Sequence, residues 1–345
     1  MKSVTYRISL NRRALLQGVS GAALLGAAGF SVRDVAAQDA TPSVDSFPVS
    51  IEHVYGTTVI ESQPVRVVTL GWSTQDAVID LGVIPVAMPR NDWGGDGEGF
   101  LPWTRTALGD AELPLLLDTA TEIPFEQIVG VKPDVILAPY SGITEDEYKT
   151  LSAIAQTVAY PETAWGTSWE DVTLITGKAL GLSAQAQQLV DDTYAYVEEK
   201  AAEYPSIAGK SFVYGNMGDG STSFNIYTVT DSRVLFLSSL GMVPSDFVKN
   251  LEPDATNTYF VPVSYELANQ IEGDVVVFWF GTQEEADAAM ETQMAEIPAV
   301  KAGAYAPIVG ESYVMANSAF STLSIRYMLE DYIPQLGAAT EKVAG

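Results

Sequence analysis

Residues 64–88 read PVRVVTLGWSTQDAVIDLGVIPVAM. The apolar run Val65–Leu70 has the length of a buried strand, and a helical pattern follows Gly71. This strand–turn–helix order opens many nucleotide-binding domains, in which several glycines and usually a lysine cradle a phosphate. Here the turn holds Gly71, Trp72 and Ser73 instead. An indole at a strand tip is suited to an apolar or aromatic body, not to a bare anion.

The same alternation extends outward. Strand VRVVTL is followed by helix STQDAVIDLG, strand PVAM, helix PFEQIVGV, strand DVILAPY, helix EDEYKTLSAIA and strand TVAY. Continuous apolar strands between helices predict sheets covered on both faces, the α/β class. After Lys210 the alternation resumes with SFVYGN, SRVLFLSSLG, SYELANQI and DVVVFWF.

Two pairs of segments echo one another. DLGVIPV (80–86) matches SLGMVPS (239–245), with Gly82 and Gly241 suited to the left-handed residue that closes a helix. FEQIVGVKPDVIL (125–137) matches YELANQIEGDVVV (265–277), each with a first-turn glutamate and an aspartate eight positions on, before a buried strand. Two echoes in one order predict a duplicated architecture. Between them, in AQAQQLVDDTYAYVEEKAAEY (184–204), Val190, Tyr194, Val197, Ala201 and Tyr204 give one helix a single apolar face, and Pro205 stops it. About 20 residues give a rod of roughly 30 Å, long and stiff enough to join two lobes with little hinge motion. The expected organisation is an N-terminal α/β lobe over 48–183, a connecting helix over 184–205 and a C-terminal α/β lobe over 206–345.

Composition excludes several classes. With 345 residues and 47% apolar content, two domains can build real cores. A net charge of −26 argues against nucleic acid or an anionic membrane surface as partner. Cysteine is absent, so disulfides and thiolate chemistry are excluded; His53 is the sole histidine, so a multi-histidine metal site is excluded too. VVVFWF runs into GTQEEADAAM and therefore reads as a strand, not a membrane span.

At the N-terminus, RISLNRRALLQG places Arg12-Arg13 before an apolar Ala/Gly-rich stretch, which resembles a twin-arginine export signal over 1–37. Cleavage after Ala37 leaves 13 Lys and Arg against 43 Asp and Glu, a net −30. Residues 38–47 read as a flexible leader. The expected location is a periplasm or cell surface, with a membrane tether if the signal stays uncleaved.

HVYGTTVI, PVRVVTLGWSTQDAVIDLGVIPV, PFEQIVGVKPDVIL, WEDVTLITGKALG and SAFSTLS together resemble the substrate-binding proteins of ABC-type iron–siderophore importers. That family also includes haem and cobalamin binders. The resemblance covers nearly everything after residue 48. It implies two α/β lobes joined by one long helix, with the ligand in the cleft between them. It further implies a ferric siderophore as ligand, an ABC-type permease as partner, a monomer, and no cofactor, because the chelator holds the iron. Glu126 and Glu266 match the family's permease-docking carboxylates, which would meet arginines of the membrane partner. Read as residues alone, each is a glutamate favouring its own helix dipole.

Ligands of open α/β sheets lie beyond the carboxyl ends of the strands. Trp72, Tyr140, Tyr214 and Trp279 are read as such strand tips and expected to line the cleft, core packing being the alternative for any one ring. Arg90, in PRNDWGGDGEGF, is a candidate partner for a ligand oxygen, with Trp93 beside it in an adaptable loop or, alternatively, a plain surface loop. Asp92, Asp96 and Glu98 in that loop depart from calcium-loop spacing, and no metal site is expected. Trp165, Phe224, Tyr227, Arg233 and Ser321 complete the candidates, while Arg326 fits a helix outside the cleft equally well.

A lone His53 reads as structural. Haem, through Tyr140 or Tyr214, is the alternative ligand within the fold, with cobalamin beside it. Catalysis is not expected: no GxSxG elbow occurs, and the two glutamates singled out for a carboxylate-dependent hydrolase fall on separate lobes. An adhesion protein, the remaining class, would bind no small molecule.

Overall fold

The computed structural model describes residues 45–218, 222–254 and 259–343. The expected export signal over 1–37 and the expected leader up to residue 44 lie outside the described residues. Of the segment read as a leader, only residues 45–47 are described, and they lie against the first lobe. Asp45 donates its backbone N–H to Gly181 O at 2.8 Å and accepts from the Ser183 N–H at 3.2 Å, and Phe47 packs on the neighbouring core.

The first lobe opens with an antiparallel hairpin, β1 (Val49–His53) and β2 (Gly56–Ile60), Val49 facing Ile60. Alternate residues of β1 are buried, as a strand packed on one face requires. There follow β3 (Val67–Thr69), α1 (Thr74–Asp80), β4 (Ala87–Pro89), α2 (Pro102–Leu108), β5 (Leu115–Leu117), α3 (Phe125–Gly130), β6 (Val135–Leu137), α4 (Glu145–Ser152), β7 (Gln156–Val158) and α5 (Trp169–Leu180). The strands form a parallel sheet in the order β5-β4-β3-β6-β7. Every residue of β3, β4 and β6 is buried, which explains their unbroken apolar runs.

α6 (Ser183–Glu203) leads to the second sheet. The chain continues through β8 (Ser211–Met217), β9 (Ser223–Tyr227), α7 (Ser232–Ser239), β10 (Val243–Pro244), α8 (Asp246–Lys249), β11 (Phe260–Ser264) and a 3₁₀ turn (Tyr265–Gln270). It ends with β12 (Val275–Phe280), α9 (Gln283–Ala289), a second 3₁₀ turn (Gln293–Glu296), α10 (Pro298–Lys301), β13 (Ile308–Val309), α11 (Glu311–Ala316) and α12 (Thr322–Thr340). This sheet runs β11-β9-β8-β12-β13, with β10 beside β8. It is mixed: β8, β12 and β13 are parallel, but β9 is antiparallel to both β8 and β11. Only five residues separate β8 from β9, too few for the crossover a parallel pair needs.

The echoes seen in the sequence are structural. Gly82 and Gly241 follow α1 and α7 with φ of 82° and 90°. Asp134, just before β6, accepts the Val65 N–H at 2.8 Å ahead of neighbouring β3. Asp274, just before β12, accepts the Ser211 N–H at 2.8 Å at the start of neighbouring β8. In each lobe one carboxylate thus ties the starts of the two central parallel strands.

α6 is not the sole link between lobes. Both lobes belong to one compact unit, and α12 packs against α6 and back onto α1 and α2. Leu101 and Trp103 of the first lobe share a core with Phe320, Ile325 and Met328. At this seam Asp76, fully buried in the first turn of α1, accepts from Trp103 Nε1, Thr104 Oγ1 and Ser321 Oγ, each at 2.7 Å. Thr322 donates to Asp80 beside it, and the Trp103 and Tyr327 rings lie 5.2 Å apart. Burial pushes the Asp76 carboxyl up, and the hydrogen bonds from Ser321, Thr104 and Trp103 offset only part of that rise.

Candidate functional site

A cavity of about 1150 Å³ opens between the lobes where the parallel strands end. Trp72 follows β3, Arg90 follows β4, Tyr140 follows β6, and Trp279 is the penultimate residue of β12. Strand ends deliver side chains here because the helices that follow must turn away to cover the sheet faces.

One wall is a ring triad. Trp72 lies 5.4 Å from Trp165 and 6.4 Å from Tyr140, and Tyr140 lies 6.0 Å from Trp165. Backbone contacts hold it: Trp72 N–H donates to Tyr140 O at 2.9 Å, and Trp165 N–H to Ser141 O at 3.0 Å. The close approach explains Gly71, whose φ is 80° and where a Cβ would stand 2.2 Å from the Tyr140 carbonyl oxygen. Ser73 and Trp165 are held at φ of 56° and 58°, left-handed values that cost a side-chain-bearing residue about 1 kcal/mol or more. Both indoles remain open to the cavity, 43% exposed for Trp72 and 42% for Trp165.

The opposite wall centres on Arg233, whose Nε and Nη2 grip Asp231 at 2.7 and 2.6 Å. Its guanidinium lies 3.6 Å over the Tyr227 ring, and Trp279 Nε1 donates to Tyr227 Oη at 2.9 Å. Burial is the largest influence and opposes the Arg233 charge, but the hydrogen bond to Asp231 and the electrostatic pull of Asp231, Tyr227 and Tyr214 together outweigh it, so the group stays cationic. Burial also pushes Tyr140 up to about 12, leaving a neutral phenol at neutral pH. Trp93 reaches across from the first lobe to within 6.5 Å of Trp279, in a T-shaped pair. Its loop is tied down where Gly94 N–H donates to Glu311 Oε2 at 3.1 Å. Arg90 donates through Nε to Asp92 at 2.7 Å and through Nη1 to Glu98 O at 3.1 Å.

Eight of the sequence candidates are brought together here: Trp72, Arg90, Trp93, Tyr140, Trp165, Tyr227, Arg233 and Trp279. Three are not. Tyr214 is no strand tip, because β8 runs on to Met217; its ring is 1% exposed inside the shared core. Phe224, 0% exposed, packs against Phe278 and Tyr265 on the other face of that sheet. Ser321 caps α12 and spends its hydroxyl on Asp76. The route to haem through Tyr214 is closed by the same burial.

His53 bonds Thr58 at 2.9 Å within the hairpin, and burial lowers its pKa. Arg326 lies 5.1 Å from the Tyr196 ring and does not line the cavity. In the Arg90 loop, Asp96 and Glu98 are engaged by Arg105. Among the described residues no group of three potential ligands is placed to hold a metal.

Trp169 and Tyr194 line the cavity unforeseen, their rings 5.3 Å apart, with Tyr194 Oη donating to Glu170. A signal for Trp169 existed: Ser168 reads as a helix cap, so the helix start falls on the ligand side of the sheet. Tyr194 carried none. The buried stripe of α6 is Ala186, Val190, Thr193 and Val197, which leaves Tyr194 at its edge, 41% exposed.

A family model described as periplasmic binding protein matches residues 67–305. The chain belongs to the periplasmic binding protein family. Among solved structures, this binding protein resembles PiaA of Streptococcus pneumoniae in complex with ferrichrome, at 32% identity and a TM-score of 0.77, covering 86% of this chain and 99% of that one. FhuD of Vibrio cholerae, bound to Fe³⁺-Desferal, is 25% identical with a TM-score of 0.60, covering 80% and 98%. The ferric-anguibactin-binding protein FatB of Vibrio anguillarum is 26% identical over 236 residues, 66% of this chain and 67% of FatB.

Proposed function

We propose that this periplasmic binding protein captures a ferric siderophore outside the cytoplasmic membrane and hands it to an ABC-type permease. The carrying observation is the cavity between the lobes, walled by rings from both and large enough for a bulky chelate. PiaA and FhuD, whose solved complexes hold ferric chelates, support that reading. The chelator fills the iron coordination sphere, so the protein needs to supply only shape, ring faces and a few donors. Export through the twin-arginine signal puts the protein where such a chelate arrives. Among the described residues no helix is long and apolar enough to cross a membrane.

Five of the six tryptophans line the cavity, Trp103 being the exception, so occupancy reports on itself through fluorescence. Titration with a panel of ferric hydroxamates and catecholates is expected to show saturable quenching by at least one of these classes, and haem and cobalamin are expected to leave the emission unchanged. No response to any ferric chelate, or saturable binding of haem alone, would overturn the reading.

The ring triad yields a second expectation. Each indole is worth about 1–2 kcal/mol to a ligand packed on it, so Trp72→Ala with Trp165→Ala should weaken binding roughly 30- to 800-fold if the two losses simply add. The two rings touch, so the double variant should lose other than the sum of the singles. Isothermal calorimetry of the four proteins measures this, and undiminished affinity in the double variant would remove the triad from the site.

A further inference from the structure

Charge in the cavity narrows the class of chelate, an inference that rests on the siderophore reading. Its lining residues that carry charge at neutral pH are two arginines, Arg90 and Arg233, against three carboxylates, Asp92, Glu170 and Asp231, with no lysine. The lining therefore carries one net negative charge among the described residues. Residues 219–221 and 255–258, outside the description, add no lysine or arginine.

Neither cation is idle. Arg233 is held by Asp231 through two hydrogen bonds and stacked on Tyr227. Arg90 is paired with Asp92 and with the Glu98 carbonyl. Glu170 accepts from the Tyr194 hydroxyl, and among the described residues no Lys or Arg forms an ion pair with it. The protein as a whole adds a net −26 of the same sign.

We infer that this cavity selects ferric chelates that are electroneutral or cationic, the trishydroxamate class, and discriminates against polyanionic ferric chelates such as tris-catecholates. A trianionic guest would leave water for a site whose two guanidiniums are already neutralised, facing uncompensated carboxylate charge. A trishydroxamate complex asks for less. Its oxygens take the guanidinium N–H groups that Asp92 and Asp231 leave over, its linkers lie on the rings, and a pendant ammonium meets indole faces.

The test compares three complexes on the full-length exported protein by fluorescence and calorimetry. They are ferrioxamine B, which is cationic; ferrichrome, which is neutral; and ferric enterobactin, which is trianionic. The first two are expected to bind at least about 100-fold tighter than the third, with the gap narrowing at high salt. Asp92→Asn releases Arg90 and removes one negative charge, and should shift the enterobactin-to-ferrichrome affinity ratio about tenfold toward enterobactin. This pair lies at the exposed rim, so the fold does not depend on it. Enterobactin binding as tightly as ferrichrome, or an unmoved ratio in Asp92→Asn, overturns the charge selection while leaving the siderophore reading intact. Failure of all three complexes to bind overturns both.

Discussion

Asp76→Ala is expected to destabilise the protein by about 3–5 kcal/mol, and Asp76→Asn by no more than about 1 kcal/mol. Alanine leaves the Trp103 Nε1–H, the Thr104 hydroxyl and the Ser321 hydroxyl without their common acceptor in a fully buried seam. The hydroxyls can turn, but an indole N–H can only donate. Asparagine keeps the arrangement: its carbonyl oxygen accepts from Trp103 and Ser321, and its NH₂ faces the Thr104 hydroxyl, which rotates to accept. In thermal unfolding the alanine loss corresponds to a Tm drop on the order of 10 °C.

The pH dependence separates the two forms of residue 76. Burial raises the folded carboxyl above its ordinary 3.8, so the folded state holds its proton more tightly than the unfolded chain does. The contribution of Asp76 is therefore fully present below that value and is lost as pH rises through the higher folded pKa. Asparagine has no such slope. Urea unfolding from about pH 4 to about pH 8 should show Asp76→Asn gaining on the native protein as pH rises. Equal stability of the alanine and asparagine variants, or a pH-independent gap, would sink this account of the seam.

Glu126→Ala combined with Glu266→Ala is expected to abolish transport-coupled uptake and to leave the Kd for the ferric chelate unchanged. Glu126 is exposed in the first turn of α3, and Glu266 is exposed in the first turn of the 3₁₀ segment. Neither carboxylate is engaged by a described residue. Their removal costs the fold no more than the weak dipole contribution, about 0.3–1 kcal/mol each. Lost from a docked interface, each charge-assisted contact to an arginine costs about 2–5 kcal/mol, and two together reduce uptake by well over 100-fold. Uptake into cells carrying the permease, measured beside calorimetry of the purified variants, decides it. Undiminished uptake, or collapsed affinity, would remove these residues from the docking role.

Where burial is complete on both sides, sequence and structure agree closely. VRVV, DVIL and DVVVFWF had to be strands between covering helices, and Gly82 and Gly241 had to end helices. The rings of Trp72, Tyr140 and Trp279 were legible as cavity residues because a large ring directly beyond or at the end of a parallel strand has few other places to go. Tyr214 and Phe224 show the limit of that argument. Neither carries a signal for where its strand ends, and three further residues in β8 turned an apparent tip into core.

By itself the sequence determined two α/β halves, an acidic chain without cysteine chemistry and a set of rings beside one arginine-bearing loop. Periodicity and composition act locally, so they survive without knowledge of distant partners. Only the tertiary structure decided that α12 returns to the first lobe, that Ser321 serves Asp76 across 245 residues and not a ligand, and that both cavity arginines are already neutralised. Those outcomes depend on which surfaces meet after the chain has crossed from one lobe to the other and back, and no local pattern records that encounter.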